Sequence, residues 1–368
     1  MKRVVDLFAG AGGISVGFTK AGFNVVAANE YNPVAAKTYA YNHPETCLIV
    51  RDIYELKAED VYQNTKLSEG KTDVLVGGPP CQGFSMAGKR NANDPRNTLF
   101  RQYLRLVSEL QPKWVVMENV PGLLSMQGGK VVDEIITSFH DLGYAITPRV
   151  LNSADFGVPQ IRHRVFFLGN RVGKQISFPN ATHMNNTKYL RIFPEDVNPY
   201  VTVGEAISDL KYLGIGEGEE EIDYSNNYET NYQRKMRHGA KKLYNHVSSN
   251  HNENIQKRFS TVKKGGGMKS VPEKLRTKKT VLYRFDDKLP SRTITTLPDD
   301  YIHYSLNRIP TVREMARIQS FPDSFRFLGH RTTGGDRRKL DCPQYTQVGN
   351  AVPPLLAQAL AEHLIKIM

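Results

Sequence analysis

The sequence predicts an α/β fold in which a doubly wound, mostly parallel sheet is accompanied by a second, smaller and irregular domain. Short apolar runs rich in β-branched residues recur through the first half, helix-length segments separate most of them, and this alternation fades after residue 170. Such alternation is typical of βαβ units in a parallel sheet. A chain of 368 residues also exceeds what one hydrophobic core usually holds, so a second domain is expected.

Six apolar runs are the predicted strands of the sheet. They span residues 3–8, 24–28, 47–50, 73–77, 113–117 and 164–169. The intervening segments "GISVGFTKAG" and "TLFRQYLRLVSELQ" have the length of helices, and residues 352–367 regain helical periodicity after prolines that suit a first turn. We therefore expect one domain in residues 1–170, a second in 171–340, and a C-terminal segment, 341–368, that returns to the first.

Composition indicates a soluble, cytoplasmic protein. The N-terminal residues lack the apolar core of a signal peptide, and no run approaches the ~18 apolar residues of a membrane span. Cys47, Cys81 and Cys342 are odd in number and far apart, which argues against a disulfide framework or a zinc site, and we expect no metal. Lys and Arg exceed Asp and Glu by 49 to 37, and a net charge of +12 suits a polyanionic partner.

Polar and glycine-rich segments follow most of the predicted strands. Ligands of open α/β sheets bind outside the carboxyl ends of the strands, so these segments should meet at one edge of the sheet. They are "DLFAGAGG" (6–13), Glu30, Asp52, "GGPPCQGFS" (77–85), Glu118 with Asn119, and "QIRHR" (160–164).

The glycine loop after the first strand is a weak signal by itself, because a tight turn from strand to helix needs glycine whatever it binds. It is not the dinucleotide pattern G-x-G-x-x-G, since Ser15 stands where the third glycine would be. Glu30 nevertheless suits the two hydroxyls of a ribose, and Asp52 could accept a hydrogen bond from an adenine amino group. An adenosine-bearing cofactor is therefore indicated.

Four of the side chains in these segments could each have an ordinary structural role. Cys81 could be a small buried residue, Glu118 a salt-bridge partner, and Arg162 and Arg164 solvated side chains. Together, on adjacent strand ends, they suit covalent attack on a polar heterocycle.

The order of these motifs resembles that of DNA (cytosine-5) methyltransferases of the bacterial or phage restriction–modification type, over nearly the whole chain. The resemblance implies S-adenosylmethionine as the cofactor, a catalytic domain in 1–170 and a target-recognition domain in 171–340. The implied cofactor-binding residues are Phe8, which would stack on adenine, with Ala9, Gly10, Gly12, Gly13, Glu30, Tyr31, Asp52, Ile53, Pro80 and Asn350. The implied catalytic residues are Cys81 as the nucleophile, Glu118 as the group that holds the target cytosine, Arg162 and Arg164. The late motifs "SRTITT" (291–296) and "QVGNAVPP" (347–354) also match.

The same resemblance implies double-stranded DNA as the partner, with the target cytosine flipped out of the helix. The predicted DNA-binding residues are Gln82, Ser85, Lys89, Arg90 and Arg96 in a closing loop, Gln160, and Lys263, Lys264 and Gly266 in the glycine cluster "KKGGGMK". Residues 231–290 hold 16 Lys and Arg against 4 Asp and Glu, an excess that equals the net charge of the chain, so we expect recognition there. The candidate base-reading side chains are Asn245, His246, Asn250, Asn252 and Gln256.

Two other interpretations stay open from the sequence. The same chemistry could act on cytosine in RNA, although the long variable segment favours duplex DNA. A catalytically silent DNA-binding module has no need for the thiol and acid pair. We further expect a monomer, with any cognate restriction endonuclease acting as a separate protein.

Overall fold

A computed structural model describes residues 1–80, 98–185, 197–332 and 341–368. The chain divides into two compact units. The first comprises Met1–Asn152, His163–Asn180 and Leu356–Met368, and the second comprises Ser153–Arg162 and Ala181–Leu355. No helix within the described residues is long and apolar enough to span a membrane.

The secondary structure alternates strands and helices through the first unit and becomes irregular in the second. The strands are β1 (Arg3–Leu7), β2 (Asn24–Asn29), β3 (Cys47–Ile49), β4 (Val74–Gly77), β5 (Trp114–Asn119), β6 (Ala145–Asn152), β7 (Gln160–Ile161), β8 (His163–Asn170), β9 (His183–Met184), β10 (Asn198–Pro199), β11 (Gly218–Ile222), β12 (Leu243–Val247), β13 (Tyr283–Arg284), β14 (Ser291–Arg292) and β15 (Tyr301–Ile302). The helices are α1 (Gly13–Lys20), α2 (Pro33–Asn42), α3 (Ala58–Asn64), α4 (Thr98–Leu110), α5 (Lys130–Asp141), α6 (Val203–Ile207), α7 (Asn231–Arg237), α8 (Glu253–Ser260), α9 (Val312–Ile318), α10 (Gln344–Asn350) and α11 (Pro354–Ile367).

The first unit is built on a seven-stranded sheet in the order β3-β2-β1-β4-β5-β8-β6. Strands β1 to β5 pair in parallel, and β8 runs antiparallel to both β5 and β6. All six predicted strands lie in this sheet, so the predicted α/β fold with a mostly parallel sheet is confirmed. The strand order reverses between β1 and β4, and the crevice at such a point is where α/β folds bind ligands.

The core of the first unit lies between the sheet and helices α4 and α5. Tyr103, Leu106 and Phe139 are fully buried there, and the rings of Tyr103 and Phe139 meet edge to face. The Tyr103 hydroxyl donates to the carbonyl of Leu75 at 3.1 Å, so this polar atom is satisfied inside the core. Strand β4 is thereby fixed against α4.

Buried ion pairs stabilise the second unit. The guanidinium of Arg308 pairs with Glu314, and that of Arg317 pairs with Asp209 and Asp323, with every one of these side chains fully buried. Removing one partner of such a pair leaves an uncompensated buried charge, which is strongly destabilising. Short strands and short helices are therefore held together here by specific polar contacts as well as by apolar packing.

Candidate active site

The loop that leaves β1 has an unusual backbone. Phe8, Gly10 and Gly12 have φ angles of 56°, 56° and 98°, and Phe8 is not a glycine. A bulky residue at positive φ is strained, and such strain is typical of functional sites. Gly12 caps the start of α1, and a side chain there would collide with the ring of His43. The backbone conformation of the loop around Ala9 and Gly10, which continues into Gly13 of α1, is therefore closely constrained.

Glu30 holds this loop against the end of β2. One carboxylate oxygen accepts the Gly10 amide and the other accepts the Asn32 amide, both at 2.8 Å. Burial raises the pKa of Glu30, while the backbone amides of Asn32, Gly10 and Tyr31 oppose that rise. The carboxylate thus fixes the turn that follows β2, next to the exposed ring of Tyr31.

A second acidic turn follows β3. The Asp52 carboxylate is exposed and accepts the Tyr54 amide at 3.1 Å, whereas Ile53 is buried. Arg105 of α4 donates to the carbonyls of Ile53 and Leu56, each at 2.8 Å. Asp52 is therefore presented to solvent on a turn that a helix holds in place.

The proline segment Pro79–Pro80 follows β4. Asn119, at the end of the neighbouring β5, donates from Nδ2 to the Pro79 carbonyl at 3.0 Å and accepts the Val120 amide at 2.9 Å. Pro79 is buried and Pro80 is exposed, so the segment emerges from the sheet at this point. The next residue is Cys81, and with it the predicted DNA-binding residues Gln82, Ser85, Lys89, Arg90 and Arg96 lie outside the described residues.

Glu118 and Arg164 form an ion pair beside this segment. The Arg164 Nε atom lies 2.9 Å from a Glu118 oxygen, and each side chain is 14% exposed. The antiparallel register causes the contact, because Asn119 of β5 lies opposite Val165 of β8. A Cβ atom added to Gly78 would lie 3.0 Å from the other Glu118 oxygen, so the carboxylate packs against the glycine before the prolines.

The first three residues of "QIRHR", Gln160 to Arg162, are part of the second unit, whereas His163 belongs to the first with Arg164. Arg162 is 1% exposed and donates to the carbonyls of Ile294 and Gly349, both at 3.0 Å. Gln160 is fully buried; it donates to Gln319 at 2.7 Å and accepts the Ile294 amide at 2.8 Å. These contacts join "QIRHR" to the two late motifs, which is the geometry of positioning residues and not that of a DNA contact at Gln160.

The model of the C-5 cytosine-specific DNA methylase family matches residues 2–366. The chain belongs to this family. It is a DNA (cytosine-5) methyltransferase, as the order of its motifs predicted.

Curated relatives match the methyltransferase over almost its full length. The type II methyltransferase M.DdeI of Desulfomicrobium norvegicum is 39% identical, over 98% of this chain and 88% of the relative. The type II methyltransferase M1.HphI of Haemophilus parahaemolyticus is also 39% identical, over 99% of this chain and 86% of the relative.

Solved structures show the same fold. A candidate DNA modification methyltransferase encoded within a prophage of E. coli has a TM-score of 0.77 and 27% identity, covering all of this chain and 99% of that one. The Dnmt2 methyltransferase of S. pombe, at 19% identity and a TM-score of 0.59, covers 100% of this chain and 99% of its own, and supports the fold alone.

The structure corrects part of the predicted base-reading set. Asn245 is fully buried and bonds to Glu220 and to the Phe327 backbone, and His246 is fully buried between Thr311 and the Leu210 carbonyl. Both polar side chains are used inside the second unit, so the prediction that they contact bases is wrong.

The remaining recognition candidates lie on the surface of the second unit. Lys263 and Lys264 are exposed, and Lys264 pairs with Asp287 at 2.5 Å. A side chain at Gly266 would approach the Lys263 carbonyl within 2.9 Å, so this glycine is needed for the loop's own packing.

Asn350, which the resemblance assigns to the cofactor, lies at the exposed end of α10 in the second unit.

Sequence reasoning missed two residues that organise the site in the first unit. Nothing in the sequence distinguishes Arg105 from any other helix cation, and Asn119 stands out only as the neighbour of Glu118. The available signal for Asn119 was its position at the carboxyl end of a buried strand, where an amide can reach the adjacent strand's loop. Nothing in the sequence indicated that Arg105 reaches the turn after β3.

Proposed function

We propose that this enzyme transfers a methyl group from S-adenosylmethionine to carbon 5 of a flipped-out cytosine, within a specific sequence of duplex DNA, through a covalent adduct with Cys81. The observation that carries the proposal is the Glu118–Arg164 pair at 2.9 Å, next to the proline segment that Asn119 holds. An acid, a guanidinium and the residue before the thiol thereby meet at one edge of the sheet.

The described residues fit the cofactor at the loop of the first unit. Glu30 would face the ribose, Asp52 the adenine amino group, and the half-buried ring of Phe8 the adenine face, with Tyr31, Ile53 and Pro80 beside it. Asn350 stays a prediction of the family resemblance. The solvent-facing Asp52 carboxylate on a fixed turn supports this assignment. When bound, the cofactor supplies an electrophilic methyl group on a sulfonium.

Carbon 5 of cytosine needs activation before it can accept a methyl group. The Cys81 thiolate adds to carbon 6, and the new C–S bond converts the ring into an enamine whose carbon 5 is nucleophilic. Carbon 5 would then take the methyl group, with the S–CH3 bond of the sulfonium breaking to leave a neutral thioether. Removal of the carbon 5 proton by a base or a water molecule re-forms the double bond and expels the Cys81 thiolate.

Glu118 and Arg164 would hold the ring during this addition. A proton on Glu118 placed at N3 offsets the charge that develops there, and the carboxyl group can also accept from the exocyclic amine. Arg164 would donate to O2 of the base. Their ion pair at 2.9 Å keeps the two side chains together at this edge of the sheet.

We assign recognition to the basic segment 231–290 of the second unit. Six of its cationic side chains are exposed along a short stretch of chain: Lys263, Lys264, Lys269, Lys274, Arg276 and Lys278. Such a surface tracks phosphates and makes binding sensitive to salt, while base-edge contacts must choose the sequence.

A cavity of about 490 Å³ adjoins this basic stretch within the second unit, and its walls include Met268, His251 and Thr296. Lys279 also lines it and is fixed by Asp299 and Asp300, with its Nζ atom 3.2 and 2.9 Å from their carboxylate oxygens. These fixed donors and acceptors are candidates for base contacts, which the buried Asn245 and His246 cannot make.

The decisive assay compares substrates directly. Purified enzyme with methyl-labelled S-adenosylmethionine should label duplex DNA and leave tRNA unlabelled, and bisulfite sequencing of DNA from expressing cells should show one methylated sequence. Labelling of tRNA alone would favour the RNA interpretation, and no labelling of either would favour a silent module. Because the relatives M.DdeI and M1.HphI are named type II methyltransferases, we propose a restriction–modification role, with any endonuclease acting separately.

A further inference from the structure

Ser15, the residue that departs from the third glycine of the dinucleotide pattern, is the middle member of a buried hydrogen-bonded chain. Its hydroxyl donates to Asp6 at 2.6 Å and lies 2.7 Å from the hydroxyl of Tyr39. The three residues are at most 1% exposed. A glycine at this position could form neither contact.

This chain of hydrogen bonds connects three secondary-structure elements that lie on either side of the glycine loop in the sequence. Asp6 lies in β1, directly before the loop, and Ser15 lies in α1, directly after it. Tyr39 lies in α2, whose first turn is capped by Asn32, two residues after Glu30. Both ends of the loop and the helix that follows Glu30 are therefore tied together through side chains that do not themselves belong to the loop.

The carboxyl group of Asp6 titrates in an unusual range. Burial raises the pKa of Asp6 to about 7, the hydrogen bond from Ser15 opposes the rise, and the charge of Glu30 adds to it. The titratable groups that face Asp6 are Glu30 from the turn after β2, Tyr39 from α2 and Tyr103 from α4. A hydrogen bond to a carboxylate is roughly twice as strong as one to a neutral acceptor, so the hydrogen bonds between Asp6, Ser15 and Tyr39 are strongest when Asp6 is ionised.

We propose that Ser15 is a positioning residue for the cofactor loop, that it acts through Asp6 and Tyr39, and that it holds the loop most firmly when Asp6 is ionised. This inference rests on the proposed function, because it takes the loop to bind S-adenosylmethionine. Ser15 itself is not expected to touch the cofactor.

The test is direct binding of S-adenosylhomocysteine to the full-length protein, measured by calorimetry between pH 6 and 8.5. The affinity of the wild type should rise as the pH passes about 7, because ionisation of Asp6 strengthens the chain. Ser15→Ala should bind about fivefold more weakly at pH 8, the equivalent of one lost hydrogen bond, and should lose most of the rise. Asp6→Asn keeps an acceptor for Ser15, so it should bind like the wild type at pH 6 and show no rise attributable to Asp6.

The matched control is Thr19→Ala, which removes an exposed hydroxyl from the same helix and should bind like the wild type at every pH. Thermal unfolding of each unliganded variant shows whether the fold is retained. The inference is overturned if Ser15→Ala matches the wild type at pH 8, or if Asp6→Asn shows the full rise, for which Glu30 would then be responsible. A wild type that binds no S-adenosylhomocysteine at any pH would instead refute the proposed cofactor, and the inference with it.

Discussion

Asn119 is predicted to govern the rate of methyl transfer although it need not touch the substrate. Its side chain is 8% exposed, donates to the Pro79 carbonyl at 3.0 Å and accepts the Val120 amide at 2.9 Å. Asn119→Ala removes both bonds and leaves a buried carbonyl without its donor. One lost bond and one unsatisfied acceptor together cost about 2–3 kcal/mol. If this energy holds the proline segment before Cys81 in place, its loss should appear in the reaction barrier.

A change of 2–3 kcal/mol corresponds to a rate roughly 30- to 150-fold lower. The assay is single-turnover methyl transfer with saturating DNA and S-adenosylmethionine, so that binding does not limit the rate. Asn170→Ala is a matched control, because Asn170 is also buried and its side chain likewise donates to a carbonyl and accepts backbone amides. Asn170 ends β8 opposite the first residue of β5, far along the strand from Asn119.

Equal losses in the two variants would show that general destabilisation, rather than the position of the proline segment, determines the rate. A wild-type rate in Asn119→Ala would refute the reasoning outright. The single tryptophan, Trp114, lies in β5 and reports by fluorescence whether the strand remains folded.

Three further predictions test other parts of the account. Glu118→Gln can still form hydrogen bonds but cannot carry a proton, so the single-turnover rate should fall far more than DNA affinity; an unchanged rate would make the carboxyl group structural. Burial disfavours the charge on Glu314, but Arg308 lowers its pKa to about 2, so its stabilising effect should persist from neutral pH and be lost as pH falls from about 4.5 through 2. Glu314→Gln should destabilise the second unit by about 3–5 kcal/mol at pH 7, measured by urea unfolding with circular dichroism, and wild-type stability there would contradict this. Exchanging residues 171–290 for those of a relative with a known target should change the methylated sequence found by bisulfite sequencing; an active chimera with the original target would place recognition elsewhere.

Most strands that the sequence predicted are central strands, buried on both faces, whereas β3 lies at an edge of the sheet and is only partly buried. Central strands form continuous apolar runs, and residues 74–77 of β4 are all buried. Strand β6, at the other edge, was missed because only Leu151 of its eight residues is buried, so it forms no apolar run, and because it contains Pro148. Proline is tolerated at an edge, where one side of the strand has no partner, but it removes the apolar signal on which the prediction depends.

The sequence predicts which residues of the candidate site lie at the ends of strands, but it does not predict which of their side chains contact each other. Carboxyl ends of parallel strands share one edge, which places Glu30 and Glu118 correctly from strand order alone. The Glu118–Arg164 pair depends on β8 being antiparallel and on its register with β5, neither of which the sequence shows. Arg162 is only two residues from Arg164, yet its guanidinium is bound to Ile294 and Gly349 in the second unit.

The error at Asn245 and His246 has a similar cause. Both residues lie in a basic, polar segment, and the composition of that segment predicts that its residues are exposed. Asn245 has a φ angle of 60° and belongs to β12, where its amide donates to Glu220 and Phe327 across the unit. A buried polar side chain is recognised only when its long-range partners are known, and those partners are 25 and 82 residues away in the chain.

The central claim is that Cys81 becomes covalently bound to the target cytosine. The measurement uses a duplex that carries the methylated sequence with 5-fluorocytosine at the target position, incubated with enzyme and S-adenosylmethionine. Fluorine cannot leave as a proton does, so the final elimination is blocked and the C–S bond should persist through denaturation. The account predicts one adduct per enzyme, mapped by peptide mass spectrometry to Cys81 and absent in Cys81→Ser. An adduct on Cys47 or Cys342, or methylated product without any trapped protein, would contradict it.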